Sequence, residues 1–110
     1  MTITTTRAGD ALVLHVAGRL DAITSPEFEK TCLQCLSPSS RRMVLDLEGT
    51  EYISSAGLRA ILMAGKKVQA GGGILGLTGL RDTVKGTLEM AGFCTLFPVY
   101  DSMEAALDAR

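Results

Sequence analysis

The stretch from Met43 to Val68 constrains the fold most tightly. Met43-Val44-Leu45-Asp46-Leu47 is a short apolar strand, and a polar turn separates it from a run with helical spacing. In that run Leu58, Ile61, Leu62 and Val68 recur at the spacing of one helix face, so the helix has one side to bury. It begins near Ser54 and Ser55, either of which fits the N-cap. A strand feeding a one-sided helix needs a second layer to pack against, and the rest of the chain must supply it.

The flanking segments do so. Ile3 among threonines reads as an edge strand that turns through Gly9-Asp10 into the almost wholly apolar Ala11–Ala17, which ends at Gly18. That pair predicts a hairpin whose second strand lies inside a sheet. Thr24 and Glu27 have capping-box spacing, Pro26 suits a first helical turn, and a helix to about Leu36 follows. Phe28, Cys32, Cys35 and Leu36 fall on its inward face. Ser37 to Arg42 reads as a surface loop. Ala70-Gly71-Gly72-Gly73 ends the Met43–Val68 unit and leads into the strand Ile74-Leu75-Gly76-Leu77. A third helix, about Arg81 to Ala91, turns Val84, Leu88 and Ala91 inward and stops at Gly92. Cys94 to Tyr100 then holds a last edge strand interrupted by Pro98, and Asp101 or Ser102 caps a final helix carrying Met103, Ala106 and Leu107. The expected order is β-β-α-β-α-β-α-β-α. It implies a mixed, mostly parallel α/β sheet of about five strands with about four helices, joined by right-handed crossovers in one domain spanning 1–110.

Composition narrows the function. Eleven basic against twelve acidic residues leave a formal charge of −1, which removes the simplest electrostatic argument for nucleic acid or an anionic membrane and favours a protein partner. No apolar run approaches the roughly 20 residues that span a bilayer, and Met1–Thr6 lacks the basic and apolar regions of a signal peptide. The expectation is a soluble cytoplasmic protein. Three cysteines, an odd number, suit a reducing compartment. The Cys32/Cys35 pair lies too far inside its helix for a redox motif. Only Cys94 and His15 remain as further soft ligands, so no metal site is expected, and no cofactor. The glycines at 71–73 lack the Gly-Lys-Ser/Thr ending of a nucleotide loop.

The chemistry collects at the start of the central helix. First-turn N–H groups have no intrahelical partner and the local dipole is positive. A phosphate esterified to a serine there, adding roughly −1.5 to −2 charge, is tolerated by the fold and changes the surface a partner meets. A serine at a helix start is otherwise simply a cap.

Several segments together resemble the STAS domain family (sulfate transporter and anti-sigma factor antagonist), particularly the single-domain bacterial anti-sigma factor antagonists. Gly18-Arg19-Leu20-Asp21 is similar to the family's Gly-x-Leu-Asp, and Met43–Leu47 resembles its central strand. Tyr52-Ile53-Ser54-Ser55-Ala56-Gly57-Leu58 resembles the hydrophobic-Asp-Ser-Ser-Gly-Leu motif, and the later Gly72-Gly73-Ile74, Met90–Phe93 and Tyr100–Leu107 fit in order. The resemblance implies helices gathered mainly on one face of the sheet and phosphorylation of Ser55, with Ser54 the lesser candidate. Ser54 stands where the family has an acidic residue, and Ala56 where it has a second serine. The resemblance further implies a partner surface of Asp21, Ile23, Thr24, Ser54, Ser55 and Arg59. The implied partners are an anti-sigma factor that is also a serine protein kinase, using ATP, and a metal-dependent serine phosphatase. The unphosphorylated chain would sequester the anti-sigma factor and free sigma for transcription.

Two other functions stand beside this one. A serine hydrolase would use Ser55 as nucleophile, but Ile53 replaces the first glycine of Gly-x-Ser-x-Gly, and the single histidine, His15, shares a strand face with Val13 and Ala17. A STAS module that senses a small ligand, or that joins a signalling complex unrelated to sigma, is the other, since one scaffold hosts many sites.

Overall fold

The computed structural model describes residues 1–36 and 42–109; of the expected surface loop, Ser37 to Arg41 lie outside them. The elements in chain order are β1 (Thr2–Ala8), β2 (Ala11–Leu20), α1 (Ser25–Cys35), β3 (Arg42–Asp46), β4 (Thr50–Ile53), α2 (Ser55–Ala70), β5 (Ile74–Thr78), α3 (Asp82–Met90), α4 (Phe93–Leu96), β6 (Val99–Tyr100) and α5 (Met103–Asp108). The expected hairpin forms: β1 pairs antiparallel with β2, while β2, β3, β5 and β6 run parallel in the order β1-β2-β3-β5-β6.

Strand registers line up apolar residues in rows across the sheet. Leu12 stands beside Met43 and Met43 beside Leu75; Leu14 stands beside Leu45 and Leu45 beside Leu77. These rows face α1 to α4 and pack on Phe28, Ile61, Val68, Val84, Leu88, Phe93 and Phe97. On the opposite face Val13 and Val44 meet α5 through Ala106, Met103 and Leu107. Gly76 continues that second row, and a Cβ there would come within 2.7 Å of the Tyr100 ring, so the aromatic takes the place of a side chain. The helices therefore gather mainly on one face, with α5 alone on the other.

The structure adds two short elements and corrects several boundaries. β4, absent from the expected order, extends the sheet by pairing with the end of β2 beyond a bulge at Gly18/Arg19. Gly18 has φ +97° and donates to the Gly49 carbonyl at 2.8 Å, so β2 bends there and continues to Leu20 rather than ending. Thr50 is fully buried because its hydroxyl donates to the Val16 carbonyl at 2.7 Å. Cys94 lies in α4, a single helical turn opened by left-handed Gly92, so the last strand is only Val99–Tyr100, after Pro98.

Some inward faces are narrower than the periodicity suggests. Leu58 and Leu62 are half-buried, while Gly57, Ala60, Ala64 and Gly65 join Ile61 and Val68 inside. Small residues permit close approach: a Cβ on Gly65 would strike the Phe97 ring at 2.3 Å. Cys32 is buried but Cys35, at the end of α1, is half-buried, and Ala91, past the end of α3, is exposed. At α5 the cap is Ser102, whose hydroxyl accepts from the Ala105 N–H at 3.0 Å.

Candidate functional site: the loop after β2 and the start of α2

The ends of β2 and β4 lie side by side, with Leu20 paired to Ile53. The two segments that follow them, 21–24 and 54–59, therefore emerge together at the carboxyl ends of parallel strands, where open α/β sheets present binding sites. Backbone contacts fix the pair. The Ser54 N–H donates to the Leu20 carbonyl at 2.9 Å. A Cβ on Gly57 would come within 2.4 Å of the same oxygen, so only glycine lets the first turn of α2 approach this closely.

The two serines have different tasks. Ser54, half-buried, is the N-cap: its backbone is extended (φ −86°, ψ 176°) and its hydroxyl accepts from the Gly57 N–H at 3.3 Å. Ser55 is the first helical residue and is exposed, and its hydroxyl has no hydrogen-bond partner among the described residues. No acidic side chain stands in the first turn of α2. An added phosphate on Ser55 would meet the positive end of the helix without displacing the cap.

Across from the serines, residues 21–24 form a self-bonded turn. Asp21 Oδ1 accepts from the Ile23 and Thr24 N–H groups at 3.0 and 3.1 Å. The Thr24 hydroxyl accepts from the Asp21 N–H at 2.9 Å and donates to the Arg19 carbonyl at 2.8 Å. The Thr24 N–H, foremost, holds the Asp21 carboxyl below the ordinary carboxylate range, against a smaller opposing effect of desolvation; the Ile23 N–H and Arg19 act in the same direction as Thr24. Thr24 still precedes the first residue of α1, but its side chain makes no cap bond, so the capping box with Glu27 does not form. The turn instead presents Ile23 with 87% of its surface exposed.

All six of the expected site residues, Asp21, Ile23, Thr24, Ser54, Ser55 and Arg59, thus belong to these two joined segments. Ile23 crowns the turn, and Arg59, exposed, stands one helical turn beyond Ser55. The sequence reading missed Arg19 and Tyr52. The Arg19 guanidinium lies 4.4 Å from the centre of the Tyr52 ring, and its Nε is 3.5 Å from Asp21 Oδ2. The signal was the alternation of Glu51-Tyr52-Ile53, too short to announce the strand that sets Tyr52 opposite Arg19.

His15 is not brought to Ser55. It lies on the α5 face of the sheet, with Nδ1 2.7 Å from Asp46 Oδ2 and Nε2 3.1 Å from Thr6 Oγ1, whereas α2 packs on the other face. The hydrolase arrangement of nucleophile and base is therefore not formed by these two residues. Among the described residues no group of three or more His, Cys, Asp or Glu side chains is arranged to hold a metal ion.

Residues 2–106 match the STAS domain model. The chain belongs to the STAS domain family. BtrV of Bordetella bronchiseptica, whose inferred role is that of an anti-sigma factor antagonist, is 34% identical over 99% of this chain and 94% of its own length. The crystal structure of an anti-sigma factor antagonist from Mycobacterium paratuberculosis superposes with a TM-score of 0.87 at 24% identity, covering 96% of this chain and 90% of that one. The anti-sigma factor antagonist SpoIIAA, in its unphosphorylated form, gives 0.68 at 14% identity over 94% and 91%. These two structures share the fold of this STAS chain, and BtrV extends the likeness to sequence over nearly the full length. No helix among the described residues is long and apolar enough to cross a membrane.

Proposed function

We propose that this STAS chain is an anti-sigma factor antagonist working as a partner switch. The unphosphorylated form binds an anti-sigma factor in the cytoplasm and frees sigma for transcription. That anti-sigma factor is also a serine kinase; it phosphorylates Ser55 with ATP and is thereby released. A metal-dependent serine phosphatase restores the binding form. The chain is then a substrate and a ligand, not a catalyst.

The observation that carries this reading is the division of labour between the serines. Ser54 is occupied as the cap, while Ser55 is exposed with a free hydroxyl at the positive end of a sixteen-residue helix. A kinase can reach Ser55 without unfolding anything, and the phosphate would sit on the segment that the Ser54 N–H to Leu20 carbonyl bond ties to the start of the Asp21 turn. Support also comes from BtrV, whose inferred role is that of an anti-sigma factor antagonist.

The test is phosphopeptide mapping of the protein from its own cells, combined with capture of the anti-sigma factor by the purified chain. Phosphate on Ser55, tight capture by wild type and Ser55→Ala, and poor capture by Ser55→Asp are expected. Phosphate confined to Ser54 would overturn the site. A chain that captures no anti-sigma factor and carries no phosphate under resting or inducing conditions would overturn the switch.

A further inference from the structure

The exposed face of α2 continues well past Ser55. Ser55, Arg59, Met63 and Lys66 are spaced by four, four and three residues and so share one face, with Lys67 on its flank. Arg59, Lys66 and Lys67 are the three cations of α2, and the helix contains no Asp or Glu. All three are exposed, and none has an ion-pair partner among the described residues. In a chain of formal charge −1 this is a local segregation of positive charge. By contrast α1 mixes signs with Glu27, Glu29 and Lys30. A shallow groove of about 60 Å³ separates the two helices; Leu33, Leu36 and Met63 line it, with Lys67 and a single acid, Glu29. Leu33 and Met63 leave about half of their surface in water, 53% and 49%.

We propose that this face docks a protein partner presenting acidic side chains around one apolar side chain, the acids meeting Arg59, Lys66 and Lys67 and the apolar group entering between Leu33 and Met63. The inference rests on the switch reading above, and the occupant is the anti-sigma factor. Charge complementarity selects the acidic partner. A nucleic acid is disfavoured because, among the described residues, α2 has no aromatic side chain and the one in α1, Phe28, is buried, so none stands on this face for bases to stack on. A membrane is disfavoured because α2 lacks the Trp or Phe that seats an interfacial helix. The surface also gives the phosphate a reach beyond its own atoms. A phosphoserine at 55 stands i, i+4 from Arg59, a spacing that lets the guanidinium turn to it. Its charge of roughly −1.5 to −2 then cancels that of Arg59 and turns the near end of the strip negative, toward the acids of the partner. Release is thus electrostatic over the first turn of the helix as well as steric at Ser55.

The test uses the whole chain and the anti-sigma factor captured above. The double variant Lys66→Glu/Lys67→Glu changes exposed positions remote from Ser55, and unchanged circular dichroism and melting temperature verify its fold. Affinity is expected to fall at least about tenfold, and the dependence of affinity on salt between about 50 and about 300 mM is expected to flatten. Met63→Asp is expected to weaken binding without changing that salt dependence as strongly. Affinity of the double variant within about twofold of wild type, with phosphate on Ser55 still releasing the partner, overturns this inference and leaves the switch standing. If no anti-sigma factor binds, the switch fails, and the surface is tested alone. The ¹⁵N-labelled chain is titrated with a helical peptide of glutamates and leucines at i, i+3 and i+4, with single-stranded DNA, and with phosphatidylserine vesicles. Shifts at Arg59, Met63 and Lys66 confined to the glutamate peptide support the docking chemistry. Shifts with DNA or vesicles instead, or none at all, overturn it.

Discussion

On the face of the sheet that carries α1 to α4, twenty buried described residues form one cluster; on the face that carries α5, three do. The second face makes up for its small core with polar attachment. The Arg42 guanidinium, at the start of β3, donates to the carbonyls of Ala106 and Leu107 at 3.4 and 2.8 Å, and to Asp10 Oδ1 at 2.9 Å. A cation at the carbonyl end of a helix also opposes the negative end of its dipole. The difference bears on function because the candidate site is built on the heavily packed face. Residues 21–24 and the start of α2 are presented by a rigid support, so a modification there alters the surface rather than the fold.

Phe28→Ala should have the largest effect, because Phe28 is fully buried between α1 and the sheet. A loss of about 3–5 kcal/mol in urea unfolding is expected. Gly57→Val follows, at about 3 kcal/mol, since its Cβ would press on the Leu20 carbonyl. Hydrogen exchange should then quicken at residues 20–24 and at the start of α2 together. Arg42→Ala should lose about 2 kcal/mol through its charged hydrogen bonds. Its exchange should quicken in α5 while α1 and α2 stay protected. Equal opening on both sides would show that the two faces do not act independently.

Cys32 sharpens the same comparison by pH. Burial, foremost, pushes its thiol from 9.0 up to about 12, with Cys35 and Glu29 adding to the effect. The folded pKa is raised, so the contribution of the neutral thiol is complete below about pH 9 and is lost as pH rises toward 12. The stability difference between wild type and Cys32→Ala should therefore be flat at neutral pH and move against wild type only above that point. In thiol labelling of the native protein, half-buried Cys35 and Cys94 should react before Cys32.

Most of the fold was legible because its elements are long enough to show a period. Leu12, Leu14 and Val16 alternate with Val13 and His15, and the sheet uses both sides of that alternation. β4 and α4 were not legible, since each is four residues long and exists through its neighbours: β4 through the tail of β2 past the Gly18 bulge, α4 through Phe93 and Phe97 stacking edge to face at 5.8 Å. At the site the family resemblance set Asp21, Ile23 and Thr24 beside Ser55, and in the structure the two segments that carry them are tied by the Ser54 to Leu20 hydrogen bond. The sequence could not show that Thr24 abandons its capping box. That choice depends on the Arg19 carbonyl, five residues away along the chain and brought close only by the turn. The Arg19–Tyr52 stack was hidden for the same reason, because it depends on strand register.

The smallest effects on stability fall on the two serines, and there the order of structural and functional consequence should reverse. Ser54→Ala removes the hydroxyl that accepts from Gly57 at 3.3 Å, a long bond, so a loss of about 1 kcal/mol or somewhat less is expected. Ser55→Ala removes an exposed hydroxyl with no partner among the described residues and should stay within about 0.5 kcal/mol of wild type. Incubation with the captured kinase and ATP should nevertheless leave Ser55→Ala unphosphorylated and bound, while Ser54→Ala still takes up phosphate and lets go. The pair separates capping from signalling because both hydroxyls sit at one helix start, in one charge environment, and differ chiefly in whether the helix itself uses them. A marked loss of stability in Ser55→Ala, or phosphate uptake abolished by Ser54→Ala alone, would mean that the helix assigns these tasks the other way round.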